Sequence, residues 1–376
     1  MKTKEGFSVL IPDGESPQTI GVLQCLAQMK NVRTYILSND RWAAIRFSRY
    51  SAQFFSYLKG EGNEERLAAI YNTVKKTKID VVLPVDCRAI RFLSANSGPL
   101  SQLTSIALLP ETKAMDIALD KGLLAEWLKK NNIPCPQTIL YQKNNDFDEC
   151  LSAIRFPVLI KPTLGSCGRG IRIFDNRSAL YSFFKDHVVS EEFIVQSFIN
   201  GYDIDCSVLC QEGKILAHTI QKGFINGSNP FGAPTGIDFL FDSSTFKVVK
   251  EVVDKLNWSG VVHFDLRYDE EDKQVKVIEM NPRFWGSVLG SLSAGVNFPY
   301  LACLVGLKRD IPEIEARPIR FVRGKVAAKI TTQHLLNRKR TDLYYDSSMI
   351  EFFLKDPLPN VFYRYIKIYN KIFPKK

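Results

Sequence analysis

Two short stretches carry side chains whose types and spacing could do chemistry. In LIKPTLGSCGRGIRIF, Leu159 to Phe174, Lys161 sits in a strand-like run and is followed by Gly165, Gly168 and Gly170. A P-loop places its lysine after the glycines and opens a helix, and a dinucleotide fingerprint also needs a helix start. Here the lysine comes first, and Ile171 to Phe174 alternates like a strand. What remains is a hairpin whose glycine tip can fold over phosphates and offer backbone N–H donors, with Lys161 as a point charge at its base. A plain glycine-rich turn beside a solvated lysine fits this stretch equally well.

The second stretch, Val261 to Ser287, reads VVHFDLRYDEEDKQVKVIEMNPRFWGS. Apolar runs flank the acidic turn Asp269 to Asp272, which predicts a hairpin. With residues 271 to 273 as its loop, Asp265 lies opposite Glu279, and Asn281 shares the face of Glu279. Like charges directly opposed destabilise a sheet, and a divalent cation reverses that sign. Two carboxylates and an amide oxygen form a partial oxygen shell suited to Mg²⁺, with water and phosphates completing it. Arg283 adds a fork-shaped donor for a phosphoryl group. Two solvated carboxylates on an ordinary hairpin are the competing reading. Against it, the pair is flanked by Phe264, Leu266, Ile278 and Met280, among which a buried unpaired charge is costly.

Something must hold these stretches in place. Strand-like Phe7 to Pro12, Arg33 to Leu37, Asp80 to Pro84 and Ile106 to Leu109 alternate with helical Val22 to Met29 and Arg66 to Thr77, the first helix opening at Ser16-Pro17. That pattern predicts an N-terminal Rossmann-like parallel sheet over residues 1–110. Its first turn, DGESPQT, lacks the glycines of a dinucleotide site. Asp120 can cap a helix running to about Asn131, which IPCP then ends. Strands follow at Gln137 to Tyr141, Val158 to Lys161, Ile171 to Phe174, Phe193 to Phe198, Asp203 to Cys210 and Ile215 to Ile220, with Gly213 in the turn between the last two. The fold class is therefore α/β followed by an α+β body hinged to the first domain.

Composition narrows the function. The chain has 376 residues and a formal charge of +10. Its eight cysteines form no C-x-x-C pair and its four histidines are scattered, so neither a disulfide framework nor a zinc site is expected. No apolar run reaches membrane-spanning length and no signal peptide opens the chain, which predicts a cytoplasmic protein. Arg317 to Lys376 holds fourteen Lys/Arg against four Asp/Glu, so this stretch carries the whole excess. No nucleic-acid-binding pattern accompanies it.

Together the two stretches resemble the ATP-grasp superfamily, above all its carbamoyl-phosphate-synthase-like branch, over roughly Glu111 to Leu304. The most specific part is VIEMNPRFWGS. The resemblance implies a two-subdomain ATP-grasp fold after the Rossmann-like domain, with a linker helix and glycine lid over 111–200 and a metal-binding subdomain over 201–316; charge and spacing add a basic extension with an amphipathic helix over 317–376. It implies ATP contacts from Lys121, Lys161, Gly165, Gly168 and Gly170. Gln196, Phe198 and Ile199 would meet adenine and Asp203 the ribose. Asp265, Glu279 and Asn281 would bind Mg²⁺, or Mn²⁺ in its place, and Arg283 phosphate. Gln196 stands where the family often has glutamate. Cys167 and Arg169 occupy lid positions that are often small.

The implied activity is an ADP-forming carboxylate–amine ligase working through an acyl phosphate on small-molecule substrates, with Lys161 and Arg283 spreading the developing charge. Arg267, two residues after Asp265, could hold the acyl group or could form a cross-strand ion pair. A bicarbonate- or carbamate-phosphorylating enzyme and a non-catalytic ATP-binding module are the rival readings. In NVFYRYIKIYNKIFPKK, Val361, Phe362, Tyr365, Ile366, Tyr369, Ile372 and Phe373 follow helical spacing, with Arg364, Lys367 and Lys371 on the other side. Such a helix can lie peripherally on the inner face of an anionic membrane. Packing of its aromatic stripe on the catalytic body is the expected arrangement. The sequence permits a homodimer without requiring one.

Overall fold

The structure is a computed structural model, and it describes residues 6–58, 63–141, 151, 154–165, 168, 170–186, 192–227, 232–324, 326–328 and 345–372. Its first sheet is parallel, with strands β1 (Phe7–Ile11), β2 (Val32–Ser38), β3 (Ser51–Ser56), β4 (Val81–Val82) and β5 (Ser105–Ile106) in the order β3-β2-β1-β4-β5. Helices α1 (Thr19–Leu26), α2 (Asn63–Thr77), α3 (Cys87–Asn96) and α4 (Gly98–Ser101) connect the strands. In β1, Val9 and Ile11 enter one apolar core and Leu10 another. A strand buried on both faces must read as a continuous apolar run, which is why β1 was legible. β3 was not: its SAQFFS is half exposed at the sheet edge and lacks that run. The first helix begins at Thr19, later than Ser16-Pro17 predicts, because Ser16 is spent in a turn from Asp13.

Helix α5 (Thr112–Leu119) leads to α6 (Lys121–Lys130). Asp120 caps α6 as expected, its carboxylate accepting from the N–H groups of Gly122 at 2.8 Å and Leu123 at 2.9 Å. The second sheet is antiparallel, in the order β6 (Thr138–Tyr141), β9 (Phe193–Ser197), β7 (Val158–Pro162), β8 (Arg172–Phe174), with α7 (Arg177–Asp186) beside it. The third has seven strands: β14 (Val275–Asn281), β13 (Gly260–Asp269), β10 (Gly201–Gln211), β11 (Lys214–Ile225), β12 (Gly236–Leu240), β15 (Ile319–Val322) and β16 (Ser347–Ser348). Around it lie α8 (Ser243–Lys255), α9 (Val288–Ser293), α10 (Phe298–Gly306) and α11 (Met349–Lys355), and α12 (Pro357–Ile372) packs against the turn Ala44–Phe47.

Burial relocates the expected hinge. The parallel sheet and the seven-stranded sheet share one core that runs from Val9 and Ile11 to Phe264, Trp285 and Phe298. The four-stranded sheet has a small core of its own, built on Val158, Ile160, Leu180, Phe193 and Val195. The first domain and the large sheet are thus one packed body, and the lobe carrying the glycine loop has a core separate from it.

The C-terminal helix also departs from expectation. Phe362 stacks on Phe47 with ring centroids 3.8 Å apart, and Ile366 is half buried. Val361, Tyr365, Tyr369 and Ile372 instead remain exposed, so only part of the expected stripe packs on the body. Phe373 lies outside the described residues.

Gly260 marks a close approach within the fused body. Its φ is +94°, and a Cβ there would lie 2.5 Å from the Leu108 carbonyl oxygen, where β13 starts against the chain leaving β5. Gly260→Ala should destabilise the protein by about 2 kcal/mol, from left-handed strain plus backbone displacement. A urea melt of the full chain should show this as a lowered midpoint at unchanged slope.

Candidate active site

Two lysines face the cleft, Lys161 on the lid lobe and Lys121 at the start of α6. Lys161, on β7, points its Nζ at Gln196 Oε1 on the neighbouring β9 at 2.7 Å, and Thr138 on β6 orients that amide by accepting from Nε2 at 2.9 Å. Lys161 is only 6% exposed, and burial pulls its pKa down to about 8 despite the negative charge of Glu279. Lys121 opens α6, and its N–H donates to Thr163 O at 3.0 Å, tying the helix to the base of the lid. Its Nζ donates to Gly165 O at 3.0 Å and lies 3.2 Å from Glu279 Oε1, so it bridges the lid lobe and the large sheet. Gly165, Gly168 and Gly170 all have positive φ (138°, 68° and 75°), which explains glycine at those positions. Cys167 and Arg169 lie outside the described residues.

The floor is one face of the seven-stranded sheet. Asp265 pairs with Glu279 across β13–β14, as counting from the turn predicts, but the ladder achieves this differently. Near the turn Tyr268 pairs with Val275 and Leu266 with Val277, and the register then shifts between Leu266 and Asp265. Without that bulge Asp265 would face Ile278, and Glu279 would point into the core. On its other side Asp265 pairs with Asp205 of β10, which pairs with Gln221 of β11. The result is a continuous polar row, Gln221–Asp205–Asp265–Glu279. Thr219, Ser207, His263 and Asn281 form the next row by the same registers.

Three carboxylates in adjacent positions are electrostatically strained, and their surroundings sort them. Asp265 Oδ1 lies 3.3 Å from His263 Nε2, and its Oδ2 accepts from Asn281 Nδ2 at 3.2 Å. Burial opposes its charge, but the His263 contact, Arg283 and Asn281 outweigh this and hold its pKa below the usual range. Glu279 is pushed up, first by burial and then by Asp265, against the pull of Lys121. Asp205 is pushed well up by burial and by the charges of Asp265 and Asp203. Ser207 Oγ meets His263 Nδ1 at 2.8 Å, which leaves the Nε2 proton for Asp265 when the serine donates. Arg283 is fixed by its own turn: its NH2 donates to Asn281 Oδ1 and its NH1 to Phe284 O, both at 3.0 Å.

This donor set fits a hard divalent cation. Asp265 and Glu279 offer oxygens on one face, where two carboxylates of unequal proton affinity opposed in register are stabilised by a positive charge between them, while Asn281 turns its Nδ2 to Asp265 and its Oδ1 to Arg283. Asp205, His263 and Asp265 also bring ligand atoms within 4.8 Å of one another. Asp205 and His263 were missed from sequence, although D-x-D and H-x-D on alternating strands signal shared faces. That the two strands are neighbours is not written locally.

Other expected residues gather one row away. Arg267 pairs with Asp203 in register and holds it at 2.5 Å, while its Nε donates to Ile199 O and its NH2 to Gly201 O. The guanidinium also lies 5.3 Å from the Phe198 ring centroid. Arg267 is thus engaged as a clasp on the segment Phe198–Asp203 joining β9 to β10. Its donors are committed there, and the cross-strand ion pair is the arrangement found.

Residues 118–287 match the family model of the ATP-grasp domain. The chain is 24% identical over 258 residues to the carbamoyl-phosphate synthase of Methanobrevibacter smithii, covering 65% of this chain and 67% of that protein. It is 23% identical over 252 residues to the C-terminal section of the carbamoyl phosphate synthase large chain of Methanopyrus kandleri, covering 64% of this chain and 44% of that one. Among solved structures, N5-carboxyaminoimidazole synthetase of Staphylococcus aureus complexed with ADP superposes with a TM-score of 0.68 at 16% identity, covering 92% of each chain. The L-amino acid ligase of Bacillus licheniformis gives 0.61 at 18%, covering 85% of this chain and 79% of that one.

Lys161 supplies a pH test. Below about pH 8 it carries the charge that would meet phosphate, and above that it loses it. If no other group limits, kcat/KM for ATP should fall as pH rises through about 8, reporting the free enzyme. A flat profile from pH 7 to about 9.5 would remove Lys161 from nucleotide recognition.

Proposed function

We propose, from the match of residues 118–287 to the ATP-grasp domain model and from the geometry of the site, that the chain is an ATP- and Mg²⁺-dependent carboxylate–amine ligase. The observation that carries the reading is the row of opposed carboxylates on the floor, facing two buried lysines beneath a positive-φ glycine loop. Phosphate needs the lysines, and the carboxylates need cations. A nucleotide triphosphate with its metal satisfies both.

In this reading Gln196 and the Phe198–Asp203 segment receive the nucleoside, and Lys121, Lys161 and the glycine loop take the phosphates. Asp265, Glu279 and Asn281 would hold the metal, which neutralises phosphate charge when bound. A substrate carboxylate oxygen attacks the γ-phosphorus, the bond to the β–γ bridging oxygen breaks, and ADP leaves. Lys161 and Arg283 stabilise the charge that develops on the transferring group. The amine nitrogen then attacks the acyl carbon, loses a proton and expels inorganic phosphate. Closure of the lid lobe over the floor keeps water from the acyl phosphate. The similarity to carbamoyl-phosphate synthases favours a second reading, in which bicarbonate or carbamate is the oxygen nucleophile.

ADP release measured with ATP and Mg²⁺ against a panel of carboxylates and amines distinguishes the two. Stimulation by a carboxylate–amine pair is expected. Stimulation by bicarbonate alone would replace the first reading with the second, and none by any addition would leave a binding module. Lys161→Ala should lower ATP turnover by about a hundredfold or more while the melting transition stays in place. Glu279→Gln should raise the Mg²⁺ concentration needed for half-maximal turnover by roughly tenfold or more.

A further inference from the structure

The nucleotide site leaves unexplained a band of exposed apolar side chains at the other end of the chain. Leu354, Leu358, Val361, Tyr365, Ile368 and Ile372 are between 50% and 71% exposed. From Leu358 onward they recur at alternating intervals of three and four residues, so they form one stripe along α12. The opposite side of the helix is what packs: Pro359 is buried, and Phe362 and Ile366 face the body.

The helix is firmly placed rather than loosely tethered. Asp356, at its start, accepts from Ser48 Oγ at 2.5 Å and from Arg49 N–H at 3.1 Å. Gln24 Nε2 donates to Phe352 O at 3.3 Å. Phe47, on which Phe362 stacks, ends the turn Ala44–Phe47, and just before that turn stands Trp42, itself 56% exposed. Arg41 and Arg46 lie over the Trp42 ring at 5.6 and 5.7 Å. Arg49 NH1 also reaches Lys355 O at 3.5 Å, and Arg364 and Lys367, both exposed, lie beside the stripe on the helix itself.

We propose that this face, the α12 stripe with Trp42 and its basic borders, is a docking surface for an anionic lipid bilayer. Charge decides between a bilayer and a second copy. Pro357–Ile372 contains no acidic residue, so a symmetric pairing of two such faces brings basic borders together with no acid on the helix to answer them. Anionic headgroups answer them directly, the apolar stripe enters the acyl boundary, and tryptophan sits at the interface. Among the described residues no helix is long and apolar enough to cross a membrane, so the contact is peripheral. It would hold the ligase at a membrane surface whichever substrates its site joins, and it stands apart from that reading.

The test is co-sedimentation of the full chain with vesicles of phosphatidylcholine alone and of phosphatidylcholine mixed with an equal part of phosphatidylglycerol. Pelleting with the mixed vesicles only, reversed by salt, is the expected result. The double variant Tyr365→Glu/Ile368→Glu alters exposed positions and should keep the parent melting temperature. Its bound fraction should fall on the order of tenfold. Equal pelleting of parent and variant, or none with anionic vesicles, overturns the proposal. So does a concentration-dependent dimer, seen by sedimentation velocity without lipid and lost in the variant, because the stripe would then belong to a second copy.

Discussion

Negative charge opposed to negative charge, in register, organises this protein. Asp205, Asp265 and Glu279 stand side by side on three neighbouring strands, where sheet geometry allows them no retreat. Each neighbour of the row answers that repulsion. His263 and Asn281 keep Asp265 ionised, Lys121 pairs with Glu279, and Arg283 is braced on Asn281. These contacts compensate without quenching, since Glu279 and Asp205 still hold protons more tightly than ordinary carboxylates. A row built this way keeps an affinity for positive charge that its protein neighbours do not exhaust.

The two-core architecture follows from the same need. The floor must be rigid, because a carboxylate row set by strand register is only as precise as the sheet beneath it. Fusing that sheet with the N-terminal domain into one core, with Trp285 and Phe298 among its shared residues, supplies that rigidity. Under the proposed function the roof has to move, since nucleotide would enter and water would leave. A four-stranded lobe with a separate small core, joined through the Arg267-clasped segment, meets that requirement. Lys121 touches both parts.

Legibility in the sequence tracked how local the physics was. The Asp120 cap, the buried strand β1 and the positive-φ glycines are local, and each could be read from a few residues. The opposition of Asp265 and Glu279 was also legible, but for an incomplete reason: a turn count neglects the bulge that restores the pairing. Arg267 stood open between two roles because its partners, Ile199, Gly201 and Asp203, arrive from a strand whose adjacency no local pattern records. Asp205 and His263 were invisible as site residues for the same cause. The C-terminal segment is helical, but the expected stripe divides, Phe362 packing on Phe47 while Val361, Tyr365, Tyr369 and Ile372 stay exposed, because which side of a helix meets the body is set by its anchors and not by its own sequence.

Residue types and spacing by themselves determined the chemistry on offer: a lysine before a glycine loop, two carboxylates with an amide oxygen, and an arginine after them. Such groups are covalently present in any fold the chain adopts, and short-range periodicity places them on strands and turns. Tertiary structure decided which of them meet. Strand order put Asp205 beside Asp265, one bulge turned Glu279 to the cleft, and shared burial joined the first domain to the floor instead of leaving it hinged. Those outcomes depend on pairings between residues far apart in the chain, whose free energy comes from collective packing that no single segment contains.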